Sequence, residues 1–490
     1  MNYPKINPKV SVSIVFVAAT FVSIMDSTIV NVALPSLGKQ LGVTGSSIDA
    51  VVVAYMVSLA VVIPVSGWLG DRLGTKRIFL LALALFCLSS ALCGLAATFP
   101  MLILFRVLQG LSGGALIPVG TAILYRTFPP VQRVQISRIL ILPTVIAPAV
   151  GPVLGGFIVD QLSWRWVFYV NVPIGIVVFF FGLLYLSEHR EPGTGRFDLL
   201  GFALAGTGLA GLMYALSEGS SAGWTSPPIL LSGLGGLLIL TAFAFIELRT
   251  PKPMIDLRLF SDRAFRITNL ISLFATAGFL GTLFIAPLYL QEARGVSALV
   301  SGLTTFPEAI GVVISTQLVA WLYPRVGPRR LMAGGLIGVA IMMALMSMMG
   351  SDTNLWIMRV LMFLTGAGMA YVFLPIQAVA FATITPAATG RASAIYSAQR
   401  QIGAALGVAI LGSVLGIVGP IQVSQSGKIL PNMTAYHAAF LAASCLSLLA
   451  AGIALTIRDR DAANTMQKRG SKRSTDKEHS ETQSGAESLA

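Results

Sequence analysis

Four ionisable side chains lie far inside long apolar stretches of the sequence. Asp26 and Arg106 are in the first half of the chain, and Glu308 and Arg400 are in the second half. A charged side chain at the centre of a bilayer costs about 2.5 to 3.5 kcal/mol on insertion scales, so such residues mark ion or substrate pathways. A carboxyl group removed from water can take up and release a proton near neutral pH. We therefore interpret these four side chains as candidates for proton coupling or substrate binding.

Each candidate also has a structural interpretation. Asp26 could form a fixed salt bridge to an arginine, and Glu308 could be a buried carboxyl group that only makes hydrogen bonds. Arg106 could hold a nearby carboxylate in its charged form, so that proton release is coupled to substrate binding, or it could be a fixed structural partner. For Arg400 both interpretations stay open. The residue types alone do not separate these alternatives.

The segments that carry these residues are membrane spans. The 490 residues are 55% hydrophobic and 11% charged, whereas soluble domains carry about 25% charged residues. About fourteen apolar segments are long enough to cross a hydrocarbon core of about 30 Å. We predict an all-α polytopic membrane protein with spans near 12–35, 47–69, 78–98, 100–125, 139–160, 164–186, 198–217, 228–249, 266–290, 299–323, 331–350, 355–379, 393–418 and 436–457.

Basic residues are distributed unequally between alternate loops. If the N-terminus is inside, the outer loops hold only Lys39, Arg165, Arg294 and Lys428, and all other loop arginines and lysines are inside. This asymmetry predicts that both termini are cytoplasmic. We expect the protein to lie in a bacterial cytoplasmic (inner) membrane. The net charge of +13 is spread over short loops rather than forming one patch, so we expect no nucleic-acid partner. The three cysteines and three histidines are scattered, and we predict no metal site.

An internal repeat divides the chain. The segment 68–77 resembles 321–330, with Trp, Leu, Arg, Gly and a terminal basic pair in register, and the same offset places Arg106 on Arg359 and Gly113 on Gly366. Duplicated halves around a central site are typical of transporters. We predict a six-helix bundle over 1–186, a linker with two extra membrane helices over 187–265, a second six-helix bundle over 266–457, and a disordered cytoplasmic tail over 458–490.

Three motifs accompany the charged residues. The loop after the second predicted span reads Gly67-Trp-Leu-Gly-Asp71-Arg72-Leu-Gly74-Thr-Lys76-Arg77, in which the glycines allow a sharp turn and Asp71 could pair with a cation or a helix N-terminus when the cytoplasmic ends close. The fourth span contains Leu102-x-x-x-Arg106-x-x-Gln109-Gly110. The fifth contains Gly151-Pro152-Val-Leu-Gly155-Gly156, whose small residues predict close packing and bending.

Together with Asp26-Ser-Thr-Ile-Val-Asn-Val-Ala-Leu-Pro35 and Asn171-Val-Pro173, these motifs resemble the major facilitator superfamily, and more narrowly its fourteen-span drug/proton antiporter branch of the EmrB/QacA type. The resemblance covers about residues 10 to 457. It implies two six-helix bundles plus two extra helices, that is, fourteen transmembrane helices. It also implies a role for Arg106 in proton handling and an association of the Gly-Pro-x-x-Gly-Gly segment with outward transport.

The sequence thus predicts proton-coupled efflux of amphiphilic, cationic small molecules by alternating access, without an enzymatic step. Protons serve as the coupling ion and no cofactor is expected. ATP is not the direct energy source, because no Gly-x-x-x-x-Gly-Lys-Ser/Thr sequence is present. Export of a metabolite, lipid or siderophore is an alternative, and a membrane sensor or receptor is an alternative of another class. We expect a monomer in the lipid bilayer, and a periplasmic adaptor stays open because the loop before the last span is short.

Overall fold

Long helices make up most of the protein. The computed structural model describes residues 7–43, 48–128, 132–191, 195, 197–251, 253–423 and 429–466, and within them the side chains at 133–135, 138, 142, 145, 149, 152, 298, 422–423, 429–430 and 464 are not described. The first half contains α1 (Pro8–Leu41), α2 (Ala50–Leu73), α3 (Thr75–Leu95), α4 (Phe99–Thr127), α5 (Arg133–Gln161), α6 (Trp166–Tyr169) and α7 (Asn171–Tyr185).

The remaining helices follow after a linker. Two of them, α8 (Leu199–Ala222) and α9 (Pro227–Arg249), precede the second half. That half contains α10 (Arg263–Leu288) with a π-helical extension (Tyr289–Ala293), α11 (Ala298–Thr305), α12 (Pro307–Val326), α13 (Pro328–Met346), α14 (Leu355–Ala380), α15 (Thr389–Val418), α16 (Met433–Ala454) and α17 (Ala463–Met466). Strand β1 (Ile421–Val423) pairs antiparallel with β2 (Ile429–Pro431) between α15 and α16.

Local sequence signals set the helix ends. Thr98 accepts a hydrogen bond from the backbone N–H of Met101 and so caps α4, and Asp262 caps α10 through the N–H of Phe265. Such side chains satisfy backbone donors that have no partner inside the helix. Gly42 ends α1 with φ of 68°, a left-handed conformation that glycine adopts without a steric penalty.

The helices are long and apolar enough to cross a membrane. In the described part of the chain thirteen segments meet this criterion, and a fourteenth is gained if Ile139–Pro148 and Val153–Gln161, which meet at 44°, form one bent span. Prolines and glycines are the usual cause of such a kink, and Gly151 and Pro152 lie in the break. The prediction of an all-α polytopic membrane protein is confirmed, with the small β1–β2 hairpin as its one addition in the described residues.

The two halves repeat the same packing. Helix α2 packs on α4 as α12 packs on α14, α1 packs on α5 as α10 packs on α15, and α3 packs on α7 as α13 packs on α16. The halves meet where α15 contacts α2 and α4, and where α5 contacts α12 and α14. Helix α8 contacts both α2 and α15, so the extra pair lies beside the junction of the halves.

The prediction of a disordered tail is wrong for its first residues. Residues 458–466 are not disordered: they form a 3₁₀ turn (Asp459–Ala462) and α17, which fold back onto the second half. The Thr465 hydroxyl lies 2.7 Å from the Tyr323 hydroxyl, and the Asp459 carboxylate accepts a hydrogen bond from the Arg329 N–H. These polar partners hold a segment that composition alone suggested to be solvated. The rest of the predicted tail, 467–490, lies outside the described residues.

Glycine allows α12 and α14 to approach closely, which gives a testable packing prediction. A Cβ atom at Gly366 would contact the backbone carbonyl of Glu308, and one at Gly311 would contact that of Phe363. We expect Gly366→Ala to force the helices apart and to destabilise the protein by about 1 to 3 kcal/mol. Gly334→Ala on α13, where a Cβ would meet nothing within 4 Å, is the matched control. Equal thermal unfolding midpoints of the two purified variants would contradict the prediction.

Candidate functional site

A cluster of buried polar side chains lies inside the first half, between α1, α3, α4 and α7. It contains Asp26, Ser90, Arg106, Gln109 and Asn171, and each of these side chains is fully buried. Arg106 and Gln109 are three residues apart on α4, so they project from the same face of that helix. Asn171 begins α7, immediately after the break at Val170 that separates it from α6. The sequence therefore brings donors from α4 and α7 onto one carboxylate on α1, and Ser90 of α3 accepts from two of these donors.

Asp26 is the centre of this cluster. The Arg106 guanidinium donates from Nη1 to Asp26 Oδ2 at 2.6 Å. The other carboxylate oxygen, Oδ1, accepts from Gln109 Nε2 at 2.9 Å and from Asn171 Nδ2 at 2.8 Å. The hydroxyl of Ser90 accepts from both amides, at 3.1 Å and 3.2 Å. Three donors to this fully buried carboxylate replace part of its lost hydration.

The Arg106 guanidinium also makes several contacts besides its bond to Asp26. Its Nε donates to the Val51 carbonyl at 3.1 Å, and Nη1 also donates to Gln109 Oε1 at 2.7 Å. The guanidinium carbon lies 4.2 Å from the ring centre of Tyr55 and 5.8 Å from that of Phe168. Its Nη2 is buried with no hydrogen-bond partner in the described structure. The site thus keeps one unused donor beside a titratable carboxyl group.

Glu308 occupies a separate position. It is the second residue of α12, its side chain is only 2% exposed, and both carboxyl oxygens lack hydrogen-bond partners in the described structure. No described charged group acts on it electrostatically. A buried carboxyl group without partners is costly unless it is neutral or meets a ligand. Glu308 is therefore suited to hold a proton or to receive a cation.

Arg400 is the fourth candidate, and it also stands apart. It lies on α15 and is partly buried, and within the described ranges it has no salt bridge or hydrogen bond. The titratable group that acts on it is Tyr396, one turn earlier on the same helix. Next to it, the Gln399 amide is buried with both polar atoms unpaired. The structure thus joins Asp26 to Arg106 but does not bring Glu308 or Arg400 to that pair.

The segment 67–77, which the sequence placed in a loop, instead forms the last turns of α2, a break at Gly74 and the start of α3, at the end of the bundle where the two halves touch. The Asp71 carboxylate accepts from Arg126 Nη2 at 2.7 Å, and both side chains are nearly buried. A Cβ at Gly390, near the start of α15, would lie 2.7 Å from Asp71 Oδ1. A Cβ at Gly67 would lie 2.5 Å from the Gly390 carbonyl. Asp71 therefore meets both a cation and a helix N-terminus, the two partners that the sequence suggested.

The basic residues of this segment contact the linker that follows α7. The Lys76 N–H donates to Glu188 Oε1 at 3.0 Å and Lys76 Nζ donates to the Leu183 carbonyl at 2.8 Å, whereas exposed Arg77 lies 3.5 Å from Glu188 Oε2. Gly74 has φ of 112°, and a Cβ there would meet the Glu188 carboxylate. Arg72 is exposed, and it too has a partner.

The Gly-Pro-x-x-Gly-Gly segment packs on α1. A Cβ at Gly151 would contact the Thr28 side chain, and one at Gly155 would lie 2.9 Å from Ile29 Cγ1. Gly156 has open space instead, and the side chain of Pro152 is outside the described set. Two of the glycines therefore allow α5 to approach α1 within two turns of Asp26.

Sequence reasoning did not assign roles to several side chains of these sites. Gln109 and Asn171 were part of quoted motifs, and their signal was their polarity within apolar spans. Arg126 was counted only as a loop charge, and Ser90 gave no signal because serine is common in membrane helices. In the residues that the structure describes, no three His, Cys, Asp or Glu side chains form a possible metal site.

The chain is similar to known transporters. The family model for the Major Facilitator Superfamily matches residues 16–408 and 270–485. A Pectobacterium atrosepticum protein named putative multidrug resistance protein MdtD is 33% identical over 413 residues, which are 83% of this chain and 87% of that protein. A Mycobacterium tuberculosis multidrug resistance protein B homolog is 30% identical over 82% of this chain and 75% of its own length.

Solved structures share the fold. The human organic anion transporter MFSD10 gives a TM-score of 0.65 at 18% identity and covers 91% of this chain and 99% of its own. The proton:xylose symporter XylE gives a TM-score of 0.61 at 16% identity and covers 90% of this chain and 94% of its own. At these identities the likeness concerns the fold alone.

Proposed function

We propose that this chain, which belongs to the major facilitator superfamily, exports amphiphilic cationic small molecules across the bacterial cytoplasmic membrane in exchange for protons. The observation that carries the proposal is the fully buried pair of Asp26 and Arg106 in the middle of a membrane helix bundle. Buried ion pairs contribute little net stability compared with apolar packing. A pair at this depth therefore supports an ion-handling role.

The geometry suggests how a proton would act. A proton on Asp26 removes the charge that faces Arg106 Nη1, and the carboxyl oxygen that receives the proton no longer accepts the same set of donors. Arg106 keeps its bonds to Gln109 Oε1 and the Val51 carbonyl. The partners from α1, α4 and α7 are then free to change their relative positions. Protonation thus biases helix packing inside one half of the transporter.

Contacts between the halves support alternating access. At the basic end of the bundle the Ser393 hydroxyl donates to the Pro118 carbonyl at 2.8 Å, and Tyr125 donates to the Gln377 carbonyl at 3.1 Å. Tyr125 also stacks on Phe381 with ring centres 4.2 Å apart. The structure is therefore closed at this end, which the loop charges predict to be cytoplasmic. Opening it requires Asp71 to leave the start of α15, as in a rocking motion of two halves.

Charge and the relatives support the proposed substrate class. Glu308, which has no hydrogen-bond partner among the described residues, supports recognition of a cationic group, and relatives named multidrug resistance proteins support export of drug-like molecules. We place the chain in the fourteen-span branch, with bundles over 1–186 and 266–457 joined by the extra helix pair, both termini cytoplasmic, and a monomer as the working unit. The membrane potential contributes about 2.3 kcal/mol per charge at 100 mV to an electrogenic exchange.

The proposal is tested by ethidium efflux from energised cells that lack their own pumps. We expect efflux above that of cells without the protein, and its loss when a protonophore collapses the proton gradient while ATP is kept constant. Efflux that survives the protonophore would contradict proton coupling. Absence of efflux from a well-expressed protein would contradict ethidium-like cations as substrates and would favour a metabolite or lipid.

A further inference from the structure

A pair of facing carboxyl groups lies at the basic end of the extra helices, far from the Asp26 cluster in the sequence. Asp198 caps the N-terminus of α8, where its Oδ1 accepts from the Gly201 N–H at 2.7 Å. Glu247 lies in the last turn of α9, is only 1% exposed, and accepts from the Ile255 N–H through Oε1 at 2.7 Å. Each carboxyl group thus uses one oxygen to hold the backbone.

The other oxygen of each group faces its counterpart. Asp198 Oδ2 and Glu247 Oε2 are both buried and lack a donor in the described structure. The two side chains are within hydrogen-bond reach of each other. A Cβ at Gly201 would lie 2.5 Å from Asp198 Oδ2 and 3.0 Å from Glu247 Oε2. Because residue 201 is glycine, no Cβ atom occupies the space beside these two carboxyl oxygens.

The surrounding charges are engaged elsewhere. Arg249 lies over the Phe245 ring at 3.8 Å, and Arg258 donates to the carbonyls of Leu248 and Thr250. On the neighbouring elements, Arg391 pairs with Asp256 at 3.6 Å and Arg126 pairs with Asp71.

The charge that acts on Glu247 is that of Asp198. Arg72 at the end of α2 is engaged in an interaction. Arg196 and Lys252, which flank these segments in the sequence, are outside the described residues. Two acids that meet with no cation beside them among the described residues cannot both be ionised at low cost, because like charges in a shared site repel each other.

We propose that Asp198 and Glu247 hold one proton between them and form a second proton-binding site, which fastens the two extra helices to the loop before α10. The shared proton supplies the donor that both orphaned oxygens lack. Its loss leaves two carboxylates side by side and separates the start of α8 from the end of α9. This site does not depend on which substrate the protein exports.

The position of the site connects it to the closed end of the transporter. Ile255, which Glu247 holds, is followed by Asp256, which pairs with Arg391 near the start of α15. The start of α15 is also where Asp71 contacts Gly390. Helix α8 contacts both α2 and α15. A rise in cytoplasmic pH that removes the proton is therefore expected to loosen the contact between the extra helices and both halves.

The test is an infrared titration of the full-length purified protein, in which the carbonyl stretch of protonated carboxylic acids is followed with pH. We expect the wild type to show, near neutral pH, one protonated carboxyl group more than Asp198→Asn and Glu247→Gln. Asp262→Asn is the matched control, because Asp262 caps α10 in the same way and has no acidic partner in the described structure. It should leave the wild-type band unchanged.

Thermal unfolding is the second measurement. The folded pair keeps its proton to a higher pH than the carboxyl groups of the unfolded chain do. Stability therefore falls as the pH rises between these two release points, and it levels off above the pH at which the folded pair releases its proton. We expect the wild type and Asp262→Asn to lose several degrees of unfolding midpoint between about pH 5 and about pH 8, and Asp198→Asn and Glu247→Gln to lose less. An unchanged band and an unchanged pH slope in both pair variants would overturn the proposal. A change produced equally by Asp262→Asn would overturn it as well.

Discussion

Asp26→Asn is expected to reduce active ethidium efflux to the level of cells that lack the protein. The asparagine side chain introduced by this substitution cannot take up and release a proton, so the exchange loses its coupling ion at the centre of the Asp26 cluster. Arg106 can still donate to the carbonyl oxygen of the new amide, and the apolar surroundings are unchanged. We therefore expect ethidium binding to the purified variant, measured by fluorescence anisotropy, to be retained within about threefold, since that difference corresponds to less than about 1 kcal/mol.

Asp160→Asn is the control for this prediction. Asp160 lies at the exposed far end of α5, so the same chemical change there removes a charge without touching the buried cluster, and efflux should persist. Active efflux by a well-expressed Asp26→Asn protein would be incompatible with a proton-carrying Asp26. The coupling role would then pass to Glu308, whose carboxyl oxygens have no partner in the described structure. Loss of ethidium binding in the variant would instead indicate that Asp26 contacts substrate.

Arg106→Gln is expected to produce the largest loss of stability of any single substitution in the cluster. It leaves the Asp26 carboxylate fully buried without its cation, and breaking one side of a buried ion pair costs about 3 to 5 kcal/mol. The same change removes the contacts of the guanidinium with the Tyr55 and Phe168 rings. We expect a lower unfolding midpoint and a poor yield of monodisperse protein. The double variant Asp26→Asn with Arg106→Gln removes both charges and should recover much of this loss.

Arg359→Gln provides the comparison, because Arg359 is the repeat counterpart of Arg106. It lies near the start of α14 with its guanidinium 4.6 Å from the Trp356 ring centre, and it has no carboxylate partner in the described structure. Its replacement should therefore cost much less than that of Arg106. If the double variant is no more stable than Arg106→Gln, the loss comes from ring packing and hydrogen bonds rather than from the unpaired charge.

The two predictions separate stability from coupling. Each substitution leaves one buried charge with two hydrogen-bond partners, but Asp26→Asn keeps the contacts of the Arg106 guanidinium with the Tyr55 and Phe168 rings, whereas Arg106→Gln removes them. The first variant should therefore be inactive and the more stable of the two. A transporter that uses this pair only as structural support would show the stability effects without a specific loss of proton-coupled efflux in Asp26→Asn.

Much of the fold follows from the sequence alone. Apolar runs with few charges must be helices in a bilayer, because each backbone N–H and C=O needs a partner that lipid does not provide. For this reason the predicted spans agree with the helices to within a few residues for most segments, as for 355–379 and Leu355–Ala380. The repeat offset likewise anticipated that the α2–α4 contact recurs as α12–α14. Prediction was wrong for 458–466, where a polar composition concealed specific contacts to Tyr323 and Arg329.

The sequence also identified the ionisable residues, because any charge within an apolar span stands out. It left open whether Asp26 has an arginine partner and whether Glu308 is hydrogen-bonded. Those questions depend on which faces of distant helices meet, and helical periodicity in an apolar span does not define a single buried face. Tertiary structure decided that Arg106, Gln109 and Asn171 all converge on Asp26. It also decided that the Glu308 carboxyl group has no hydrogen-bond partner in the described part of the chain, and that Asp198 faces Glu247 across α8 and α9. The free-energy cost of a charged side chain in the bilayer makes the ionisable residues recognisable in the sequence. Helix packing determines which of them are paired.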